Sequence, residues 1–339
     1  MRTTRAATAA LAALALLASA CGSVEDDDRT SDETASNAAD DGGTDAAASG
    51  PVTLTDARGQ ELALDEPATD VVGLEWGAVE NLVSLGVMPV GVADVEGYGN
   101  WVQAAPLEGE TTDVGMRGEP SVDAIAGLAP DLVVTTTDLP ENVITQIEDI
   151  VPVLVLRGAS ADQPIEQMRE NLELTAQAVG RTDEADVLLE ELDAALADGA
   201  AAIDEAGLAG APFTMADGYL QGSTLTIRMF TDGSLVGAVG EELGLENAWT
   251  EGGDPDYGLA TTDIEDLTSL PDETRFLYYT NEAAMGDPFE EALTGNAIWE
   301  DLAFVQDDEV HRLPDGIWMF GGPRSVQQWV DAVVAALTS

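Results

Sequence analysis

Ser121-Val122-Asp123-Ala124-Ile125-Ala126-Gly127-Leu128-Ala129-Pro130-Asp131-Leu132-Val133-Val134-Thr135 is the stretch that decides the fold. Ser121 can cap a helix whose apolar face is Val122, Ile125 and Leu128, and Pro130 closes it. The run from Asp131 to Thr135 then reads as a buried strand. The same alternation extends both ways. Upstream, Asp70–Leu74 is a short apolar run, Val79–Leu85 has helical spacing ending at Gly86, and Val87–Val92 is strand-like. Downstream, Glu141–Ile150 reads as a helix and Val153–Leu156 as a strand. Strands alternating with helices imply a mostly parallel sheet covered on both faces.

A long helical tract follows, from Ile165 to Ala206, punctuated at Gly180-Arg181-Thr182-Asp183. In its second part Ala185, Leu188, Leu189, Leu192, Ala195 and Leu196 mark one face. That helix would run about 35 Å, enough to span two lobes. A second alternating half comes next: strand Phe213–Ala216, helices Leu235–Leu243 and Asp263–Leu267, strand Phe276–Tyr279, helix Glu290–Leu293, strand His311–Leu313 and terminal helix Ser325–Leu337. The expected fold class is α/β: two Rossmann-like lobes joined by one long backbone helix, with a ligand cleft between them. The N-terminal α/β lobe is expected over 51–160, the helical tract over 161–209 and the C-terminal α/β lobe over 210–339. Ligand pockets favour such interfaces.

Residues 1–20 read as a secretory signal peptide, with Arg2 and Arg5 ahead of an Ala/Leu run. That run is too short to cross a hydrocarbon core, which needs roughly 20 residues. It ends in Leu17-Ala18-Ser19-Ala20-Cys21, which resembles a bacterial lipobox. Cys21, the sole cysteine, is then the lipidation site, and the mature protein sits on the extracytoplasmic face of the cell membrane. The competing reading is an ordinary secretory site with a free thiol. Residues 21–50 read as the lipidated cysteine and a disordered acidic tether, because they carry no aromatic residue and almost nothing to bury. The chain holds 65 acidic against 12 basic residues, a formal net charge of −53. All the basic ones are arginine. Nucleic acid is excluded as a partner, since phosphate binding needs a basic surface. An acidic surface without lysine suits a salty habitat, where screening relieves self-repulsion.

Val71-Val72-Gly73-Leu74-Glu75-Trp76 and Leu85-Gly86-Val87-Met88-Pro89-Val90-Gly91-Val92-Ala93 resemble the opening of ferric-siderophore substrate-binding lipoproteins of ABC importers. So does Gly115-Met116-Arg117-Gly118-Glu119-Pro120-Ser121-Val122-Asp123, leading into Leu128-Ala129-Pro130-Asp131-Leu132-Val133. The other half adds Leu243-Gly244-Leu245-Glu246-Asn247-Ala248-Trp249 and Leu313-Pro314-Asp315-Gly316-Ile317-Trp318. The resemblance runs from Val52 to Leu337, and the family belongs to the class III periplasmic-binding-protein-like proteins. It implies two Rossmann-like lobes bridged by a rigid helix, and a binding protein that is no enzyme. It further implies a monomer that hands a ferric siderophore to a permease dimer. No covalent cofactor is implied, and ferric iron would be bound only inside the siderophore.

Such a site needs aromatic walls for organic surface and arginine forks for ligand oxygens. The resemblance places Arg117 at an oxygen-binding position, with a surface ion pair as the competing reading. Trp76 is the other first-lobe candidate, or else a core residue. Tyr98 and Trp101, in the Gly-rich stretch Gly97–Trp101, are candidates for a cleft rim or for packing on their own lobe. In the second lobe the candidates are Arg228, read at a strand end, Tyr257, Trp318 and Arg324. Three arginines at cleft positions suggest an anionic ferric complex. The resemblance also assigns permease docking to one carboxylate per lobe, Asp123 and Glu265, against the alternative of a solvated acidic face.

Other functions would need different residues. Direct zinc or manganese binding needs clustered His and carboxylates, and His311 is the only histidine. Tyr278-Tyr279 could chelate iron, but adjacent strand side chains point to opposite faces. Cobalamin or haem binding on the same fold and an extracytoplasmic sensor module stay open. A Ser-His-Asp hydrolase is disfavoured by a lone histidine outside any nucleophile motif. The charge predicts that the thermal midpoint rises between low salt and molar KCl at neutral pH. A flat or falling midpoint rejects salt adaptation.

Overall fold

The computed structural model describes residues 50–222 and 224–339. The signal segment, Cys21 and nearly all of the tether lie outside the described residues. The first lobe holds a five-stranded parallel sheet in the order Thr112–Asp113, Gly91–Val92, Val71–Gly73, Leu132–Thr136, Val153–Leu156. Leu132–Thr136 is buried at every residue, as an apolar run without alternation requires. Ser121 caps the helix Val122–Leu128, its hydroxyl accepting from the Ala124 N–H at 3.2 Å. The expected strand Val87–Val92 shortens to Gly91–Val92. Val87 donates instead to the Leu82 carbonyl, closing the preceding helix, and Pro89 has no N–H for a ladder. An antiparallel hairpin, Val52–Thr55 with Glu61–Leu64, adds Leu54, Leu62 and Leu64 to the core of this lobe.

The second-lobe sheet is mixed. Its order is Leu259–Thr262, Thr224–Phe230, Pro212–Gln221, Arg275–Tyr278, Val310–Arg312, with Glu246–Asn247 also pairing with Pro212–Gln221. The short strand expected at Phe213–Ala216 is the beginning of ten residues, Pro212–Gln221. The chain then reverses after Gly222 into the antiparallel strand Thr224–Phe230. Gly222 sits at φ 67°, which costs a glycine little. Arg228 therefore lies within a strand, not at its end. The helix expected at Asp263–Leu267 is a single 3-10 turn, Asp266–Ser269. There the Asp263 carboxylate takes the Glu265 N–H at 3.1 Å, competing with helical pairing.

Two helices join the lobes, Pro164–Val179 and Thr182–Glu205, separated by Gly180 in the left-handed region at φ 67°. The longer spans about 36 Å. Ala185 and Leu188 enter the first-lobe core, and Leu192 and Ile203 the second. The shorter helix does the same with Leu172 and Ala176 in one core and Met168 in the other. The bridging that the sequence assigns to one helix is thus shared by two.

A second tie is polar. The terminal helix Pro323–Leu337 begins at Gly322, which has no side chain to cap it. Glu80, fully buried on the helix Trp76–Ser84 of the other lobe, takes that role. Its Oε1 accepts from the Ser325 N–H at 2.8 Å and its Oε2 from the Ser325 hydroxyl at 2.6 Å. A helix N-terminus favours a carboxylate there. Burial nevertheless raises the Glu80 pKa, against the pull of the Ser325 donors. A folded pKa above the unfolded value means stability that is complete below the ordinary glutamate pKa and lost as pH rises through and above it. Native protein should therefore lose stability relative to Glu80→Gln as pH rises from the acid side to neutrality. Denaturant titrations of the two with parallel pH profiles would reject this role.

Candidate ligand cleft

Glu75 and Trp76 stand where the chain leaves the strand Val71–Gly73 and enters the helix Trp76–Ser84. Asp138 follows the strand Leu132–Thr136. These are carboxyl ends of parallel strands, where α/β sheets hold ligands. Arg117 occupies the turn between Gly115–Met116 and Glu119–Pro120. From the second lobe come Asp217 and Arg228, directly opposite each other on adjacent strands. Tyr279, beyond Arg275–Tyr278, and Trp318 and Phe320, ahead of the terminal helix, complete that wall. Together they line an interlobe cleft of about 490 Å³.

The floor is aromatic. Trp76 and Trp318 meet edge to face at 5.0 Å between centroids, Trp318 and Phe320 at 5.1 Å, and Phe320 and Tyr257 at 5.5 Å. Trp101 packs against both Tyr279 and Trp318. Two arginines stand over this floor, each held by an acid. The Arg117 guanidinium lies 3.8 Å above the Trp76 ring, and its Nη1 donates to Glu75 Oε1 at 2.9 Å. Arg228 forks onto Asp217, Nε to Oδ1 at 2.9 Å and Nη2 to Oδ2. Its guanidinium carbon lies 5.5 Å from the Phe320 centroid. Burial pushes both the Glu75 and the Asp217 carboxyls up, opposed in each case by the arginine.

A hydrogen bond also crosses the cleft. The Tyr257 hydroxyl donates to Asp138 Oδ2 at 2.5 Å, and Thr136 donates to the same oxygen at 2.9 Å. Tyr257 is aimed by Asp254, whose carboxylate accepts from the N–H groups of Asp256, Tyr257 and Leu259. Burial works against that carboxylate, yet the three donors hold its pKa below the usual range. Gly258 turns the chain at φ 64°, and a Cβ there would meet the Gly233 carbonyl carbon at 2.3 Å.

Six of the residues singled out from sequence meet at this cleft: Trp76, Trp101, Arg117, Arg228, Tyr257 and Trp318. Trp76 is also a core residue, 4% exposed, with its indole N–H on the Ala93 carbonyl. Two residues are corrections. Tyr98 is no rim residue: the Gly-rich stretch is the helix Val95–Trp101, which turns Tyr98 wholly inward with its hydroxyl on the Ala105 carbonyl. Arg324 lies on the terminal helix and pairs with Glu191 of the long helix at 2.8 Å, away from the cleft lining. The alternation read for Tyr278-Tyr279 is present. Tyr279 faces the cleft, while Tyr278 packs on Phe289 and donates to Asp287. His311 lies outside the cleft lining, 3.1 Å from Glu309. Asp123 and Glu265 are exposed, one on each lobe.

Sequence reasoning missed Glu75, Asp138, Asp217 and Phe320 as wall residues, and weighed Tyr279 only as an iron ligand. Asp217 had a signal: two strand-like runs flank Gly222-Ser223, a two-residue hairpin pattern. Counting outward from that turn puts Asp217 opposite Arg228. Asp138 had none, since its partner Tyr257 is 119 residues away.

The chain is 26% identical over 267 residues to the iron(3+)-hydroxamate-binding protein FhuD of Escherichia coli (strain K12), covering 77% of this chain and 84% of that protein. It is 24% identical over 252 residues to the Fe(3+)-citrate-binding protein YfmC of Bacillus subtilis (strain 168), 73% of this chain and 74% of that one. The fold matches the Fe3+–Desferal-bound siderophore-binding protein FhuD of Vibrio cholerae with a TM-score of 0.71 at 23% identity, covering 80% of this chain and 98% of that chain. Residues 71–316, which carry both sheets and most of the cleft wall, match the periplasmic binding protein family, and the chain belongs to that family.

Proposed function

We propose that this protein captures a ferric-siderophore complex at the extracytoplasmic face of the cell membrane and delivers it to an ABC permease dimer. The observation that carries this reading is the interlobe cleft, with a floor of four or more aromatic rings and two oriented guanidinium groups from opposite lobes. A siderophore already fills the coordination sphere of iron, so the protein must recognise the outside of a complex. Rings supply contact area, and arginine N–H groups beyond those held by Glu75 and Asp217 can meet ligand oxygens. Glu75 and Asp217 are engaged by arginines, so they are poor direct ligands for bare iron. Relatives named for ferric hydroxamate and ferric citrate binding support the assignment. A haem reading finds less support, because the one histidine pairs with Glu309 outside the cleft.

In this reading acyl chains on Cys21 anchor the protein through the acidic tether, and Asp123 and Glu265 enter basic pockets on the permease. The protein acts as a monomeric binding component with no covalent cofactor.

Tryptophan fluorescence titrated with ferric complexes tests the cleft. Arg117→Ala should weaken binding by about 1.5–3 kcal/mol, roughly one to two decades in Kd. Trp318→Ala should weaken it by a similar order and remove part of the quenching. Native affinity in both variants would reject this cleft as the site. Import assays test the rest: Asp123→Arg and Glu265→Arg should transport poorly while binding normally, and Cys21→Ala should leave the membrane fraction. A docking double variant that imports normally, or a Cys21→Ala protein that stays with membranes, would overturn the corresponding assignment.

A further inference from the structure

One relative is named for ferric-hydroxamate binding and another for ferric-citrate binding, so the charge class of the ligand has to be read from the cleft. Two guanidinium groups line it, and each has a carboxylate partner within its own lobe: Glu75 for Arg117 and Asp217 for Arg228. The Arg228 fork uses both oxygens of Asp217 as acceptors, the arrangement of an ionised carboxylate. A third acid, Asp138, faces the same space with only hydroxyl donors on it. The lining has no histidine, and the chain has no lysine. Arg324, which would have added a positive charge, is held by Glu191 outside the cleft. Arg157, exposed at the end of a first-lobe strand, does not line it either. With these groups ionised, three carboxylates face two guanidinium groups, and the described residues of the cleft lining carry one net negative charge.

Resting on the ferric-complex reading above, we infer that Glu75 and Asp217 set the ligand's charge class, so that the cleft takes a neutral or cationic ferric complex of the tris-hydroxamate type. Three singly charged hydroxamates neutralise ferric iron. Their oxygens can accept from the arginine N–H groups that remain free, and their aliphatic chains lie on the aromatic floor. Three doubly charged catecholates leave the complex with three negative charges, and citrate complexes are anionic too. Such a polyanion would face Asp138 unpaired and would have to draw both arginines from partners in a partly desolvated site. Like charges brought together at a recognition surface disfavour binding. The field of a chain with net charge −53 acts in the same direction at long range.

The experiment is calorimetric titration of the full native protein in physiological salt with four probes. They are a neutral cyclic ferric tris-hydroxamate, ferric desferrioxamine B with its free ammonium, ferric citrate and a ferric tris-catecholate. Both hydroxamates should bind tighter than either anionic complex by on the order of tenfold or more. In Glu75→Gln and Asp217→Asn that gap should narrow, through gained affinity for the anions. Tighter binding of citrate or catecholate by the native protein overturns the charge assignment and leaves the ferric-siderophore reading standing. Binding of none of the four removes both. An unchanged gap in folded variants shows that Glu75 and Asp217 are not the selectors. Should the variants fail to fold, the ranking of the four probes by native protein still decides.

Discussion

The structure depends on apolar surface that two cores share. A helix with Ala185 and Leu188 in one core and Leu192 and Ile203 in the other cannot let the lobes part without exposing part of that surface. Burial worth about 25 cal/mol per Å² makes such exposure expensive. Free hinge opening is thereby limited, and the cleft walls are held near their binding positions. Preorganised walls reduce the cost of ordering when a ligand arrives.

Polar contacts refine what the helices impose. Glu80 caps a helix of the opposite lobe whose own N-cap residue is a glycine, which fixes the loop carrying Trp318 and Phe320 against the lobe carrying Trp76. The edge-to-face contacts among those rings follow from that placement. Tyr257 and Asp138 close the opposite side with a hydrogen bond between lobes. The cleft is framed by a hydrophobic spine, a buried carboxylate cap and an exposed polar latch.

Arginine is scarce in this chain, and its placement is informative. Twelve arginines stand among 65 acids, so almost any arginine can find a carboxylate. The two in the cleft hold theirs while lying against aromatic rings; the rings help orient each guanidinium and the carboxylate offsets its charge. A family position for arginine therefore does not by itself describe an anion site. The partner decides what the arginine can do.

Much of the fold is legible in the sequence, because the signals are local. Ser121 before Val122, Ile125 and Leu128 predicts a capped helix, and Leu132–Val134 predicts a buried strand, from residues only a turn or a pleat apart. The aromatic and arginine candidates were visible as residue types in loops between such elements. The misreadings arose where context overrode the local pattern. Glycines around Tyr98 suggested a loop, yet Asp94 caps a short helix there with its side chain on the Gly97 N–H. The pairings that give the cleft its chemistry were not legible at all. Glu75 meets Arg117 across 42 residues, Asp138 meets Tyr257 across 119, and Glu80 meets Ser325 across 245. Periodicity and capping act over a few residues and were determined by the sequence itself. Which acid neutralises which arginine depends on how two sheets pack through shared helices, and only the tertiary structure decided it.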